Sequence, residues 1–178
     1  MSKVCIVTGA SQGLGRGIAH VLATEEGTKV YATARNLDLL EQLAEEAAKS
    51  KGEIIPYRLD QSDDKSSADF VNMVADKEAG IDLLVNSSYG GLTAITPYFG
   101  KPFWERPISV FDASINIGLR SAYVMSSLVS LNMVNRGSGL LVQVSSLGGY
   151  HYLFDVGYGV GKAGLDRLPP DMAAELLP

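Results

Sequence analysis

The sequence predicts a doubly wound α/β fold, a parallel sheet with helices on both faces (a Rossmann fold). Three observations point there: five short apolar runs, helical periodicity in the segments between them, and a glycine-rich turn directly after the first run. The runs are KVCIVT (3–8), KVYAT (29–33), EIIPYRL (53–59), IDLLVN (81–86) and GLLVQVSS (139–146). Each is apolar or β-branched and flanked by turn residues, so each reads as a strand. Between them Leu14, Ile18, Val21 and Leu22 keep a helical spacing, as do Leu40, Leu43, Ala44 and Ala47, and then Phe70, Val71 and Val74. A longer stretch carries Phe111, Ile115, Leu119, Ala122 and Met125 at the same period. Strands alternating with helices require parallel pairing through right-handed crossovers.

Composition narrows the class. A chain of 178 residues is long enough for one domain, 1–178, with a real core. Its 46% hydrophobic and 20% charged residues are those of a folded chain rather than a disordered one. The net charge of −5 argues against nucleic acid as a partner, because duplex binding depends on basic side chains. The opening MSKVCIVTG has one Lys and a short apolar run that stops at turn residues, which reads as neither a signal peptide nor a membrane span. A cytoplasmic location is the resulting expectation. Cys5, alone in its type, sits in the first strand and reads as a buried reduced thiol.

The segment VTGASQGLGRG places glycines at 9, 13, 15 and 17, although a glycine inside a helix costs about 1 kcal/mol relative to alanine. A strand–turn–helix junction of this kind is where a dinucleotide's pyrophosphate sits. Gly9 allows the tight turn, Gly13 lets the backbone approach the phosphates, and Gly15 allows helix and strand to pack closely. The free N–H groups and positive dipole end of the helix then face the anion.

The spacing Gly9, Gly13, Gly15 is not that of the general dinucleotide fingerprint. TGASQGLG resembles instead the TGxxxGxG cofactor motif of the classical short-chain dehydrogenases/reductases. YGVGK (158–162) is similar to that family's YxxxK, VSS to the end of its catalytic-serine strand, and INIG to its helix Asn motif, so the likeness extends over nearly the whole chain. The resemblance implies Tyr158 as general acid/base and Lys162 as the residue that tunes it and holds the nicotinamide ribose. One helical turn separates the two, and a neighbouring ammonium favours a phenolate over the phenol. It implies Asn116 as the holder of a relay water, although an Asn in a helix can equally face solvent. Aligning the strand and its glycines puts Ser146 at the place that polarises a substrate carbonyl. Tyr158 lies 12 residues beyond it, whereas the family spacing, one longer, selects Ser145; both stay open.

The implied cofactor contacts are Gly9, Ser11, Gly13, Leu14, Gly15, Arg35, Asp60 and Asn86, together with Tyr158 and Lys162. The end of the second strand, YATARN, offers Arg35 and no acid before Asp38, which favours NADPH/NADP over NADH/NAD. Asp60 is similar to the family's adenine-contacting Asp, and Asn86 to the first Asn of its NNAG motif.

The chain departs from the family in two places. Ser87 and Ser88 replace the second Asn and the Ala of NNAG, and the chain stops at PPDMAAELLP, where the family continues with further strands and a segment that closes over the nicotinamide. Pro169 and Pro170 are expected to interrupt the Tyr–Lys helix, because a proline there removes a backbone hydrogen bond. In the family that helix commonly forms the homo-oligomer interface, so an oligomer is expected only if the interruption spares it. The fifth strand is expected to be an open edge.

Two readings from different classes follow: an NADPH-dependent oxidoreductase interconverting a carbonyl and an alcohol, or a catalytically silent relative that binds nucleotide or another chain. A methyltransferase on a similar sheet fits the glycine loop but leaves the Tyr–Lys pair unexplained. His20 and His151 have no ligand-spaced partners, so no metal site is expected. Phe103 and Trp104 read as packed residues, or else as the wall of a substrate pocket. Substrate identity is not encoded in any of these motifs.

Overall fold

Val4–Thr8 of the first apolar run are all buried, and in the computed structural model, which describes residues 2–176, they form the central strand β1 (Val4–Thr8). Around it lie β2 (Lys29–Ala34), β3 (Glu53–Arg58), β4 (Leu83–Asn86) and β5 (Leu140–Gln143), in the order β3-β2-β1-β4-β5. Ile6 stands opposite Tyr31 on one side and Leu84 on the other, and Tyr31 opposite Ile55, all in parallel register. Pro56, which cannot donate to a ladder, is accommodated because β3 is an edge strand.

The helices are α1 (Gly13–Thr24), α2 (Leu37–Ala47), α3 (Asp64–Lys77), α4 (Gly91–Ile95), α5 (Ile108–Ser114), α6 (Ser121–Arg136) and α7 (Val156–Leu176), with a π-helical segment Ile115–Arg120 joining α5 to α6. From β1 the chain winds outward to β3 and then returns to the other side of β1 for β4. Right-handed crossovers then put α1 and α2 on one face and α3 and α6 on the other.

Side-chain alternation agrees with that placement. Val4, Ile6, Tyr31 and Leu84 share one core with Phe70, Val71 and Val74 of α3 and Met125, Val129 and Met133 of α6. The intervening Cys5, Val7, Val30 and Ala32 point to the opposite face, where Ala19, Leu40 and Leu43 are buried. Phe70 anchors the first core: its ring meets Tyr31 edge-on at 6.2 Å and Tyr57 at 4.6 Å.

By their internal contacts the residues form two compact units. One comprises the chain up to Ser88 together with Val124–Val142, and it carries β1 to β4 with α1 to α3. The other comprises Tyr89–Tyr123 and the chain from Gln143 onward, with α4, α5, the π segment and α7. Its own core gathers Ile95, Val110 and Tyr158, with Tyr89 and Tyr98 packed against them.

Several expectations need correction. The helical spacing of Leu14, Ile18, Val21 and Leu22 does form α1, but Leu14 and Val21 are exposed and α1 buries Gly15, Ala19 and Ala23. Small residues win that face because the helix starts against the backbone of the preceding turn. The long periodic stretch 111–125 is not one α-helix, because the π segment interrupts it and Phe111 is exposed.

The fifth strand ends at Gln143 rather than continuing to Ser146: the carbonyl of Val144 accepts from the Lys162 ammonium, and Ser146 caps a short 3₁₀ turn, Leu147–Gly149. Phe103 and Trp104 are exposed, packing edge-on against each other at 5.3 Å rather than in a core. Finally, α7 runs unbroken through Pro169 and Pro170. Both residues are exposed, and the Arg167–Asp171 ion pair spans the two positions at i,i+4.

Truncating Phe70 to alanine empties the centre of the α3 core. Its fully buried ring is worth about 3–5 kcal/mol, so Phe70→Ala is expected to lower the urea midpoint sharply with the m-value unchanged.

Candidate active site

In the first unit, the turn after β1 is built from close backbone approaches. Gly9 has φ 65°, and a Cβ there would stand 2.8 Å from the Cα of Ser88. Gly15 sits so near the Gly9 carbonyl that any side chain would overlap it. Gly13 also has a left-handed φ of 58°, yet nothing lies within 4 Å of the place its Cβ would occupy. Two glycines close the turn, and the third leaves an open concave backbone.

Gln12, the N-cap residue of α1, supplies no side-chain cap, so the first N–H groups of this helix are not engaged by a capping side chain. Thr8, fully buried at the end of β1, uses its hydroxyl to accept from the N–H groups of Ser87 and Ser88 at 3.1 and 3.3 Å. That fixes the departing NSSYG segment despite its altered residues. Asn86 is buried and donates to Ser126 Oγ at 3.0 Å. Ser11 is half-buried beside the turn and Leu14 is exposed at the start of α1.

Arg35 is exposed just past β2, and Asp60 is exposed just past β3. The Asp60 carboxylate accepts from Ser62 N–H at 3.0 Å and Ser62 Oγ at 2.8 Å. These bonds hold its pKa below the usual carboxylate range, and the positive charge of Arg35 adds to the effect.

In the second unit, Ser146 Oγ and Tyr158 Oη are 2.7 Å apart. Ser146 Oγ also accepts from Gly148 N–H at 3.0 Å, which fixes its rotamer. A side chain at Gly148 would overlap the Tyr158 ring, so any other residue here would displace the phenol. Ser145 points elsewhere, donating to the Lys162 carbonyl at 3.4 Å. Of the two serines left open by the motif, Ser146 is the one that faces the phenol.

Lys162 is buried; its Nζ donates to Val144 O at 2.9 Å and lies 5.8 Å from the Tyr158 ring centre and 5.3 Å from that of Tyr89. Burial pulls the Lys162 pKa below the ordinary ammonium range, with Asp166 opposing. Asn116 lies on the π segment with its side chain exposed, and its carbonyl accepts from Ser121 N–H five residues on. Such π turns recur at functional sites because they shift the register of a helix face.

The motifs did not announce Thr8, Tyr89, Ser114, Arg106 or Asp155. Tyr89 Oη is 3.0 Å from Ser114 Oγ, and its ring stands edge-on to Tyr158 at 5.3 Å. Burial pushes the Tyr89 pKa up to about 12, so its hydroxyl stays neutral beside Tyr158. Asp155 accepts from Tyr158 N–H at 2.6 Å; an Asp three residues ahead of a helical Tyr is a capping signal that the sequence does display.

The model of the short chain dehydrogenase family matches residues 3–178. The chain belongs to the short-chain dehydrogenase family. It is 45% identical over 175 residues to dehydrogenase/reductase SDR family member 1 of Mus musculus, covering 98% of this chain and 56% of that protein. The chain therefore spans little more than half the length of this relative. Among solved structures, a metagenomic short-chain oxidoreductase in complex with NADP superposes with a TM-score of 0.88 at 30% identity, covering 98% of this chain and 76% of that one. An NAD+-bound xylitol dehydrogenase superposes with a TM-score of 0.87 at 27% identity, covering 98% and 65%. Among the described residues no helix is long and apolar enough to cross a membrane.

Lys162 allows a stability test with a defined sign. Its folded pKa lies below that of the unfolded chain, about 10.4, so the unfolded state binds more protons just below that value and stability rises with pH through this window. The stability of the native chain relative to Lys162→Met is expected to improve as the pH rises toward the unfolded-chain value of about 10.4, followed in parallel thermal melts.

Proposed function

We propose that this chain interconverts a carbonyl and an alcohol by hydride transfer with NADPH, with Tyr158 as general acid/base. The observation that carries this reading is the 2.7 Å contact between Ser146 and Tyr158, with the Lys162 ammonium beside the phenol ring. Two adjacent hydroxyls, one of serine and one of tyrosine, are what a carbonyl oxygen needs as its charge grows.

The residues of the first unit fit a dinucleotide. The open Gly13 backbone and the uncapped start of α1 offer N–H groups and a positive dipole end to a pyrophosphate. Gly9, Ser11, Leu14 and Gly15 form the remainder of that turn. Asn86 bounds the turn from β4, and Asp60 is assigned the adenine end. Arg35, exposed after β2 and followed by no acid before Asp38 in the chain, supports recognition of a 2′-phosphate and hence NADPH over NADH. Bound in this turn, the nicotinamide cofactor supplies the hydride.

The chain's own residues supply the proton. Ser146 donates to the substrate oxygen and polarises the carbonyl. Tyr158 delivers its phenolic proton to that oxygen in reduction and recovers it in oxidation. Lys162 stabilises the negative charge left on the Tyr158 oxygen and holds the ribose. Asn116, on the π segment, is assigned the water that returns the proton from solvent.

Calorimetric titration of the chain with NADPH and NADH tests the cofactor half. The reading expects micromolar NADPH binding clearly tighter than NADH, with the difference lost in Arg35→Ala; equal affinity for both, or no binding, contradicts it. For the chemistry, Tyr158→Phe is expected to lower kcat on a carbonyl panel by roughly 10²–10⁴-fold while leaving NADPH affinity within about threefold.

A further inference from the structure

We propose that the buried ion pair of Arg106 and Asp155 is a positioning device for Tyr158, an inference that rests on the acid/base role assigned above. Arg106 Nη1 and Asp155 Oδ2 are 3.1 Å apart, with side chains only 6% and 5% exposed. Removing two charges from water is costly, and a buried pair of this kind gives little net stability over apolar packing. What this pair holds in place is therefore the informative question.

Each partner is anchored on the segment that sets the phenol. Asp155 Oδ1 accepts from the backbone N–H of Tyr158 at 2.6 Å, fixing the residue that carries the phenol at the first turn of α7. The opposite oxygen of the same carboxylate is gripped by Arg106, so the acceptor cannot rotate away from its N–H. Arg106 in turn donates from Nε to Lys101 O at 2.9 Å and from Nη1 to Phe154 O at 3.4 Å. Phe154 has a left-handed φ of 65°, which a bulky side chain avoids unless its surroundings impose it. Its ring lies edge-on to Tyr158 at 5.1 Å. The guanidinium thus ties the 101–106 turn, the strained Phe154 and the Asp155 cap into one unit, and the ring and backbone of Tyr158 both rest on it.

The consequence is geometric. The Ser146–Tyr158 contact of 2.7 Å is an optimal O–H···O distance, and a drift of about 1 Å abolishes it. Asp155 and Arg106 act through Tyr158 and do not themselves meet substrate.

The test compares Asp155→Ala, Asp155→Asn and Arg106→Lys with the native chain in NADPH-linked carbonyl reduction. Misplacing a catalytic group by about 1 Å costs up to 10²-fold, so Asp155→Ala is expected to lose at least about tenfold in kcat with KM for NADPH within threefold. Asp155→Asn, which keeps an acceptor for the Tyr158 N–H, is expected to recover most of that loss. Arg106→Lys, a point charge that cannot grip carboxylate and two carbonyls together, is expected to fall between them.

A crystal structure of Asp155→Ala gives a readout that needs no turnover: the Ser146–Tyr158 separation is expected to exceed 3.5 Å. Native kcat in Asp155→Ala, no recovery in Asp155→Asn, or an unchanged Ser146–Tyr158 distance overturns the proposal. A native chain that reduces no carbonyl, in company with a lengthened distance in Asp155→Ala, overturns the acid/base reading and leaves the positioning of Tyr158 supported.

Discussion

A hydrogen bond of 2.7 Å between two side-chain hydroxyls has little tolerance for error, and the second unit is organised around holding one. Ser146 can face Tyr158 because its strand stops early and its hydroxyl caps a tight turn. Gly148 in that turn leaves room for the phenol ring. Lys162, one helical turn beyond Tyr158, takes the carbonyl that an extended β5 would have used. The end of the strand and the start of α7 are thus two aspects of one arrangement. Burying Lys162 has a cost, visible in its lowered pKa, and a stability maximised without regard to function would not retain an ammonium there.

The first unit solves a different problem with the same means. Backbone must come close to backbone around Gly9 and Gly15 so that it can stay open at Gly13. Thr8 secures the loop after β4 by accepting from two consecutive N–H groups. The segment that departs from the family pattern, Ser87 and Ser88, is therefore held through its backbone, and the change of side chains there leaves the turn intact.

Much of this was legible in the sequence because it depends on local pattern. Each of the five apolar runs forms a strand, and the glycine spacing and the Tyr–Lys pair are the motifs that the family resemblance rests on. What was not legible depends on distance of approach or on partners remote in the chain. Apolar periodicity marks α1 as a helix, but Leu14 and Val21 are exposed and close approach selects glycine and alanine on its packed face. The prolines of α7 predict an interrupted helix, yet the helix continues through both and an i,i+4 ion pair spans them. The choice between Ser145 and Ser146 turns on which way a strand end faces, which a one-residue ambiguity in spacing cannot decide. Arg106 gave no signal at all, since nothing in KPFWERP announces that its guanidinium closes on Asp155.

The central claim is that these residues carry out hydride-linked carbonyl chemistry, and isotope transfer tests it most directly. The chain is incubated with NADPH carrying deuterium at both nicotinamide C4 positions and a panel of aldehydes and ketones, and the alcohols are analysed by mass spectrometry. The account predicts alcohol one mass unit heavier, with the deuterium on the former carbonyl carbon, formed by the native chain and not by Tyr158→Phe. Tight NADPH binding with no labelled alcohol from any substrate, or equal labelling by Tyr158→Phe, would contradict it.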